Sequence, residues 1–487
     1  MAGIGNRAAI LTLSRLANYG LMLISPVILV RLLTVAQFGR YREFLLYATV
    51  VQAIAAFSIG DSLLYCIPAN PASRWRIVRQ TAVLLAGSTL ITVAGLAVLD
   101  RASGGRLVGS LLLPICLYTL FYSNLDFWDF YFVATNRPGW VFVYTSSRLA
   151  ARVSVAIVTA VLTHDVQAII WALVALEGLR MLGAAVIMMA KDRSAAEPPL
   201  AEPWRAQLRF CLPSGAANVL STLKNNLSSI VVTKALGAVA LAQYSIGNFG
   251  QPVVYTLRNS VSAVVLPEMV QRDRSSRQDA LALWKRATVV NTILLLPTVV
   301  IVERFARPLV DIVFGRSYAP AALVLQIFML GVIRECFDFS PALRALNRTR
   351  PLVGSTTASL IACGVMLAIL VPMAGVAGAM AAVVIAMTVE AVWLGSATMR
   401  HFGVRLSELI PWDSTCRVAV AAAIAAGLLA TSAWTDAFGP GGIALASLSY
   451  LVAFALLLLG LRVPEAYALL AWARRLVPSL DTASRKA

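Results

Sequence analysis

The chain has 487 residues, 59% hydrophobic and 13% charged, with a formal charge of +18 and a mean hydropathy of +0.78. Apolar runs of about 18 residues or more follow one another, each long enough to cross a hydrocarbon layer about 30 Å thick as a helix. This excludes a soluble enzyme or a nucleic-acid-binding domain and predicts an all-α polytopic membrane protein.

In chain order, about fourteen spans are expected, near 8–30, 44–67, 78–99, 107–134, 144–163, 167–190, 208–233, 242–267, 287–303, 318–346, 352–372, 374–398, 415–433 and 441–461. No run before Arg31 has the form of a cleaved signal, because Arg15 interrupts it. The first span ends in Leu29–Tyr41, LVRLLTVAQFGRY, and a worn copy, VTKALGAVALAQY, returns at Val232–Tyr244. Arg31 then matches Lys234, Leu33 matches Leu236, Phe38 matches Leu241 and Tyr41 matches Tyr244. Further on, Ile67-Pro68 returns as Leu266-Pro267, Arg137-Pro138 as Arg350-Pro351, and Glu177 as Glu390. A duplicated unit follows, and it should be settled before local features are read.

The break in composition is Lys191–Arg209, which carries Asp192, Glu197, Pro198, Pro199, Glu202 and Pro203. The expected division is therefore a six-helix lobe over 1–190, a linker over 191–207, a second six-helix lobe over 208–400, and two added helices with a basic tail over 401–487. Six helices is an even number, so both lobes enter the membrane in the same sense, as parallel pseudo-symmetric repeats. Of the basic residues, 36 are Arg and 5 are Lys. Most fall in alternate loops, such as Arg74–Arg79, Arg272–Arg286 and the tail from Arg474. By the positive-inside rule, those loops and both termini are expected in the cytoplasm. The basic faces then suit anionic headgroups better than nucleic acid.

No GxxxxGK loop is present, and the two histidines, His164 and His401, form no HExxH pattern. Cys66, Cys116, Cys211, Cys336, Cys363 and Cys416 are scattered without CxxC spacing and read as small apolar fillers. No catalytic residue, metal site or cofactor is expected.

Charge inside the spans remains, where each such group costs about 2.5–3.5 kcal/mol to insert and usually faces protein or water. The bases counted there are Arg15, Arg152, Arg180, Lys224, Arg258 and Arg334; the acids are Asp61, Asp126, Asp129, Glu177, Glu335, Asp338 and Glu390. Glu177 with Arg180, and Arg334 with Asp338, are spaced to pair on one helix face. Arg15, Lys224 and Arg258 have no acid at that spacing and are accompanied by Asn18, Asn225, Gln251, Tyr255 and Asn259. A hydrated cavity with a cationic floor fits them, suited to a phosphate-bearing substrate; packing against acids of other helices is the alternative. Asp126 and Asp129, three apart, are candidates for proton coupling. Ser25-Pro26, Gly247–Pro252 and Pro297 are expected points of bending.

The motifs LVRLLTVAQFGRY, FGRSYAPAALVLQIFMLG (Phe314–Gly331) and MAGVAGAMAAVV (Met373–Val384) resemble the polysaccharide and oligosaccharide flippases of the multidrug/oligosaccharidyl-lipid/polysaccharide exporter superfamily. That resemblance covers roughly residues 8–400 and implies two six-helix lobes around a central cavity. It also implies translocation of a polyprenyl-pyrophosphate-linked oligosaccharide across a bacterial inner membrane, with Arg15, Lys224 and Arg258 on helices suited to the pyrophosphate. A polysaccharide polymerase and export machinery are implied as partners. The alternatives are a drug/cation antiporter of the same superfamily, whose cavity should be acidic or aromatic, and a membrane polysaccharide polymerase or ligase, which needs a large outer loop.

Overall fold

The computed structural model describes residues 20, 24–191, 196–199, 203–273, 276–345, 350–430 and 434–476, and among them it is helical with no strand. Residues Arg15 and Asn18 lie outside this set. By internal contacts the chain divides into Met1–Ser245 and Ile246–Ala487, described in turn.

The first unit contains α1 (Val35–Ala56), α2 (Leu63–Ala69), α3 (Arg74–Ala102), α4 (Leu112–Ser123), α5 (Trp128–Ala134), α6 (Pro138–Thr163), α7 (Val166–Lys191) and α8 (Pro203–Leu236). The opening turns of α9 (Ala238–Gly247) also belong to it. The LTVAQ stretch starts α1 as a capping box: Thr34 Oγ1 accepts from the Gln37 amide at 3.3 Å, and the Thr34 amide donates to Gln37 Oε1 at 3.0 Å. Gly39 lies within α1. A Cβ there would sit 2.0 Å from the Ala238 carbonyl oxygen, so glycine lets the two copies of the repeat touch backbone to backbone.

The expected second span is interrupted between α1 and α2. Phe57 and Ser58 are both left-handed, with φ of 40° and 53°, a conformation that costs about 1–3 kcal/mol per residue and persists only when its surroundings enforce it. Here α8 does so. Gly215 leaves room for Phe57, whose ring carbon lies 2.5 Å from where a Cβ would be. Gln207 Nε2 donates to Ser62 Oγ and to Thr81 Oγ1, both at 2.7 Å, tying the break to α3. Helix α8, expected to open the second lobe, therefore packs on α1 and α3 within the first unit. The core beneath this break joins Leu63, Val78, Leu85 and Phe127.

The second unit contains α10 (Gln251–Asp273), α11 (Arg277–Val313), α12 (Ala321–Glu335), α13 (Ser340–Ala345), α14 (Arg350–Phe402), α15 (Trp412–Ala430), α16 (Trp434–Gly460) and α17 (Pro464–Leu476). Helix α11 packs on α10, α12 and α15. Trp284 and Phe339 stack at 5.2 Å on one flank, and Val289, Val418 and Tyr450 join the two C-terminal helices on the other. Gly247–Pro252 is a break, as expected. The bend in α11, however, is at Phe305 (φ −113°, ψ 16°) and not at Pro297. Pro308 follows three residues later and denies the helix an amide. Gly375 (φ 56°, ψ −129°) separates the expected eleventh and twelfth spans inside α14.

Seven helical stretches among the described residues are long and apolar enough to cross a membrane. That is fewer than the fourteen spans: the second, eighth and tenth are split by breaks, the eleventh and twelfth fall in one stretch, the first lies mostly outside the described residues, and the seventh and thirteenth are helical without being among the seven.

Candidate functional site

Two of these breaks organise buried charge. In the first unit α4 ends at Ser123, and Leu125 turns left-handed at φ 56° before α5 begins. The last carbonyls of α4 are left without amide partners, as at any helix C-terminus, and attract cations. Arg180 of α7 supplies one: Nη2 donates to the carbonyls of Phe121 at 3.0 Å and Tyr122 at 2.5 Å. The same guanidinium donates from Nε to Glu177 Oε2 at 2.6 Å, so the pair expected from spacing forms.

Asp126 sits in the break itself. Arg148 of α6 grips it with both terminal nitrogens, Nη2 to Oδ2 at 3.2 Å and Nη1 to Oδ1 closer still, while Arg180 Nη1 lies 3.8 Å from Oδ1. Arg152, one turn beyond Arg148, donates to the Tyr118 hydroxyl at 2.5 Å and lies 3.7 Å from Glu177. Arg148 also covers the Tyr122 ring, 4.1 Å from its centroid. This is a closed network of three guanidiniums, two carboxylates and tyrosines. Arg148, which the count of intramembrane bases passes over, holds it together. Its i,i+4 spacing to Arg152 is the signal that marks it in the sequence.

The structure changes the expected relation of Asp126 and Asp129. Helix breakage between them removes the shared face: Asp126 is ion-paired, whereas Asp129 opens α5 and accepts from the Phe130 amide at 2.9 Å.

The second unit repeats the plan. Here the break runs from Cys336 to Phe339, between α12 and α13, and Asp338 lies in it at the place that a repeat offset of about 212 assigns to the partner of Asp126. Asp338 Oδ1 accepts the Ser340 amide at 3.0 Å and Oδ2 accepts Ser262 Oγ at 3.0 Å. Arg334, expected to pair with Asp338, instead donates to Glu335 at 2.6 Å. The side chain facing Asp338 is Arg258 of α10, 3.6 Å away through Nε, and Arg258 Nη1 also donates to Glu335. Arg258 is thus ion-paired with both Glu335 and Asp338. Asn259 Oδ1 accepts from it at 3.0 Å and Tyr255 lies under it at 5.0 Å, while Gln251 donates to the Tyr255 hydroxyl at 3.2 Å. Lys224 is partly buried and Asn225 exposed, both on α8 in the first unit.

Beside the first network opens a pocket of about 680 Å³, at the end of the unit where α3 and α6 begin and α7 ends. Arg180 forms part of its wall, and Arg74, Arg137 and Lys191 are its other cations; among the described residues no acid lines it. Aromatic rings make the rest: Trp128 against Tyr131 edge-on at 5.7 Å, and Phe132 stacked on Trp140 at 6.0 Å. Glu197 accepts the amides of Trp75 at 2.8 Å and Arg76 at 3.0 Å, capping α3.

A family model described as "polysaccharide biosynthesis protein" matches residues 139–323, from the start of α6 into α12. Among solved structures, a "Lipid II flippase MurJ, inward closed conformation" superposes with a TM-score of 0.68 at 13% identity, covering 92% of this chain and 98% of that one. An inward-facing multidrug resistance MATE family transporter of the MOP superfamily gives 0.53 at 14%, covering 79% and 94%. No curated protein sequence matches significantly. The chain therefore shares the fold of these two solved structures, and the polysaccharide biosynthesis model matches its residues 139–323.

Proposed function

We propose that the chain is a flippase that moves a polyprenyl-pyrophosphate-linked oligosaccharide repeat unit across the inner membrane by alternating access, with both termini in the cytoplasm. The observation that carries this reading is the sign of the buried charge. In the first unit three guanidiniums, Arg148, Arg152 and Arg180, form ion pairs with two carboxylates, Asp126 and Glu177, and among the described residues the adjoining pocket is lined by cations without an acid. A site for a cationic drug would carry the opposite excess. Arginine suits pyrophosphate because its planar fork reaches two oxygens at once. Arg15 and Lys224 are proposed as further contacts to the pyrophosphate, as is Arg258, with its guanidinium oriented by Glu335. Likeness of fold to a lipid II flippase over nearly the whole chain and the polysaccharide biosynthesis pattern both support the reading. The translocated unit would pass to a polymerase and export machinery.

The test is a deletion strain complemented by the full chain. Polyprenyl-linked repeat units should accumulate in the cytoplasmic leaflet of the deletion strain and clear on complementation. Normal lipid-linked pools together with new sensitivity to cationic drugs would overturn the reading in favour of an antiporter.

A further inference from the structure

The pocket at the end of the first unit is a site in its own right, and we infer that it binds the phosphate headgroup of an anionic amphiphile on the cytoplasmic side. Among the described residues, the side chains of Arg74, Arg137 and Lys191 enter no hydrogen bond or ion pair, unlike Arg180 behind them. All three are solvent-exposed and line one pocket with no carboxylate among its described lining residues, so an entering anion is attracted by each of them. A second observation concerns the wall: Trp128, 7% exposed, lines the pocket together with Tyr131, Phe132 and Trp140, an aromatic face of the kind found at headgroup level.

The shape fits an amphiphile better than a small ion. About 680 Å³ is far more than inorganic phosphate needs and falls in the range of ligand cavities. Gly183, Ala184 and Ala190 of α7 keep one wall low, and a Cβ built on Gly183 meets nothing within 4 Å. At the mouth, Trp140 is 58%, Val143 53% and Ile187 50% exposed, an apolar lip on membrane-spanning helices where an acyl or prenyl chain can lie. Aromatic and basic residues at a helix end are common at the headgroup level of any membrane protein. Here they are gathered around a volume, and basic pockets between membrane helices on the cytoplasmic side recognise phosphorylated headgroups. The headgroup can come from a resident anionic phospholipid or from a polyprenyl phosphate; the shared chemistry is a phosphate on a long apolar chain.

The full chain in mild detergent is titrated with phosphatidylglycerol, with polyprenyl monophosphate and with zwitterionic phosphatidylethanolamine, and bound lipid is read by native mass spectrometry. One equivalent of each anionic lipid should bind at least tenfold more tightly than phosphatidylethanolamine. The triple variant Arg74→Gln/Arg137→Gln/Lys191→Gln should weaken binding about a hundredfold, near fivefold for each cation. Gly183→Phe, which fills the pocket and leaves every charge in place, should remove that equivalent, with the protein eluting as a single folded species. Polyprenyl phosphate displacing phosphatidylglycerol would assign the pocket to the transported class of lipid, and the reverse to a resident lipid. Equal binding of phosphatidylethanolamine, or wild-type binding in both variants, would overturn the inference. Transport is read separately through lipid-linked intermediates, so the two proposals fail independently.

Discussion

Replacing Arg258 by methionine separates a substrate-contacting cation from one held for packing. Arg258 Nη1 donates to Glu335, Nε lies 3.6 Å from Asp338, and its side chain is 21% exposed against 2% for Glu335. Breaking a buried ion pair by removing one partner costs about 3–5 kcal/mol, because a charge is left without compensation. For Arg258→Met the lower end applies. Glu335 keeps Arg334 at 2.6 Å, and Asp338 keeps Ser262 and the Ser340 amide, each at 3.0 Å. For Glu335→Met the upper end applies, since two guanidiniums lose one carboxylate. At roughly 2–4 °C per kcal/mol for a unit of this size, the melting temperature should fall by about 6–12 °C for Arg258→Met and further for Glu335→Met. Arg258→Met/Glu335→Met should lose less than the sum of the two, the signature of direct coupling. The assay is thermal unfolding of the detergent-purified full chain, followed by loss of the monodisperse size-exclusion peak. An Arg258→Met protein that melts with wild type yet fails in export would refute the structural pairing and make Arg258 a substrate contact alone.

Asp126→Asn should lower membrane abundance several-fold, because it strips Arg148 and Arg180 of a shared carboxylate. Asp129→Asn, which removes the charge but keeps an oxygen to accept the Phe130 amide, should leave abundance unchanged and alter the pH dependence of export in vesicles if it couples proton flow. Glu197→Ala should cost about 1 kcal/mol by uncapping α3, and limited proteolysis should cut the linker several-fold faster. Gly39→Ala should abolish accumulation of the protein, with a Cβ forced to 2.0 Å from the Ala238 carbonyl oxygen; Gly87→Ala, which meets nothing within 4 Å, is the control and should accumulate normally. Reporter fusions at Arg76, Pro199 and Arg272 should read cytoplasm and those at Ala102 and His164 periplasm; a periplasmic signal at Pro199 would refute the proposed orientation.

By itself the sequence determined whatever depends on composition and spacing along one helix. Hydropathy gave a helical membrane protein, since a chain so apolar must satisfy its backbone within each segment. Self-similarity gave the repeat, including the correspondence of Asp126 with Asp338, and a three-residue spacing gave the Glu177–Arg180 pair. Tertiary structure decided what depends on contacts between helices. Span-averaged hydropathy is blind to one left-handed residue such as Leu125, yet that residue ends α4, frees the carbonyls that Arg180 binds, and parts Asp126 from Asp129. The partners of Arg258 and Asp126 lie 77 and 22 residues away along the chain, out of reach of any helical-wheel argument. Gly39 marks a close approach between the two repeat copies, because only the packed pair of helices brings the Ala238 carbonyl to where its side chain would be.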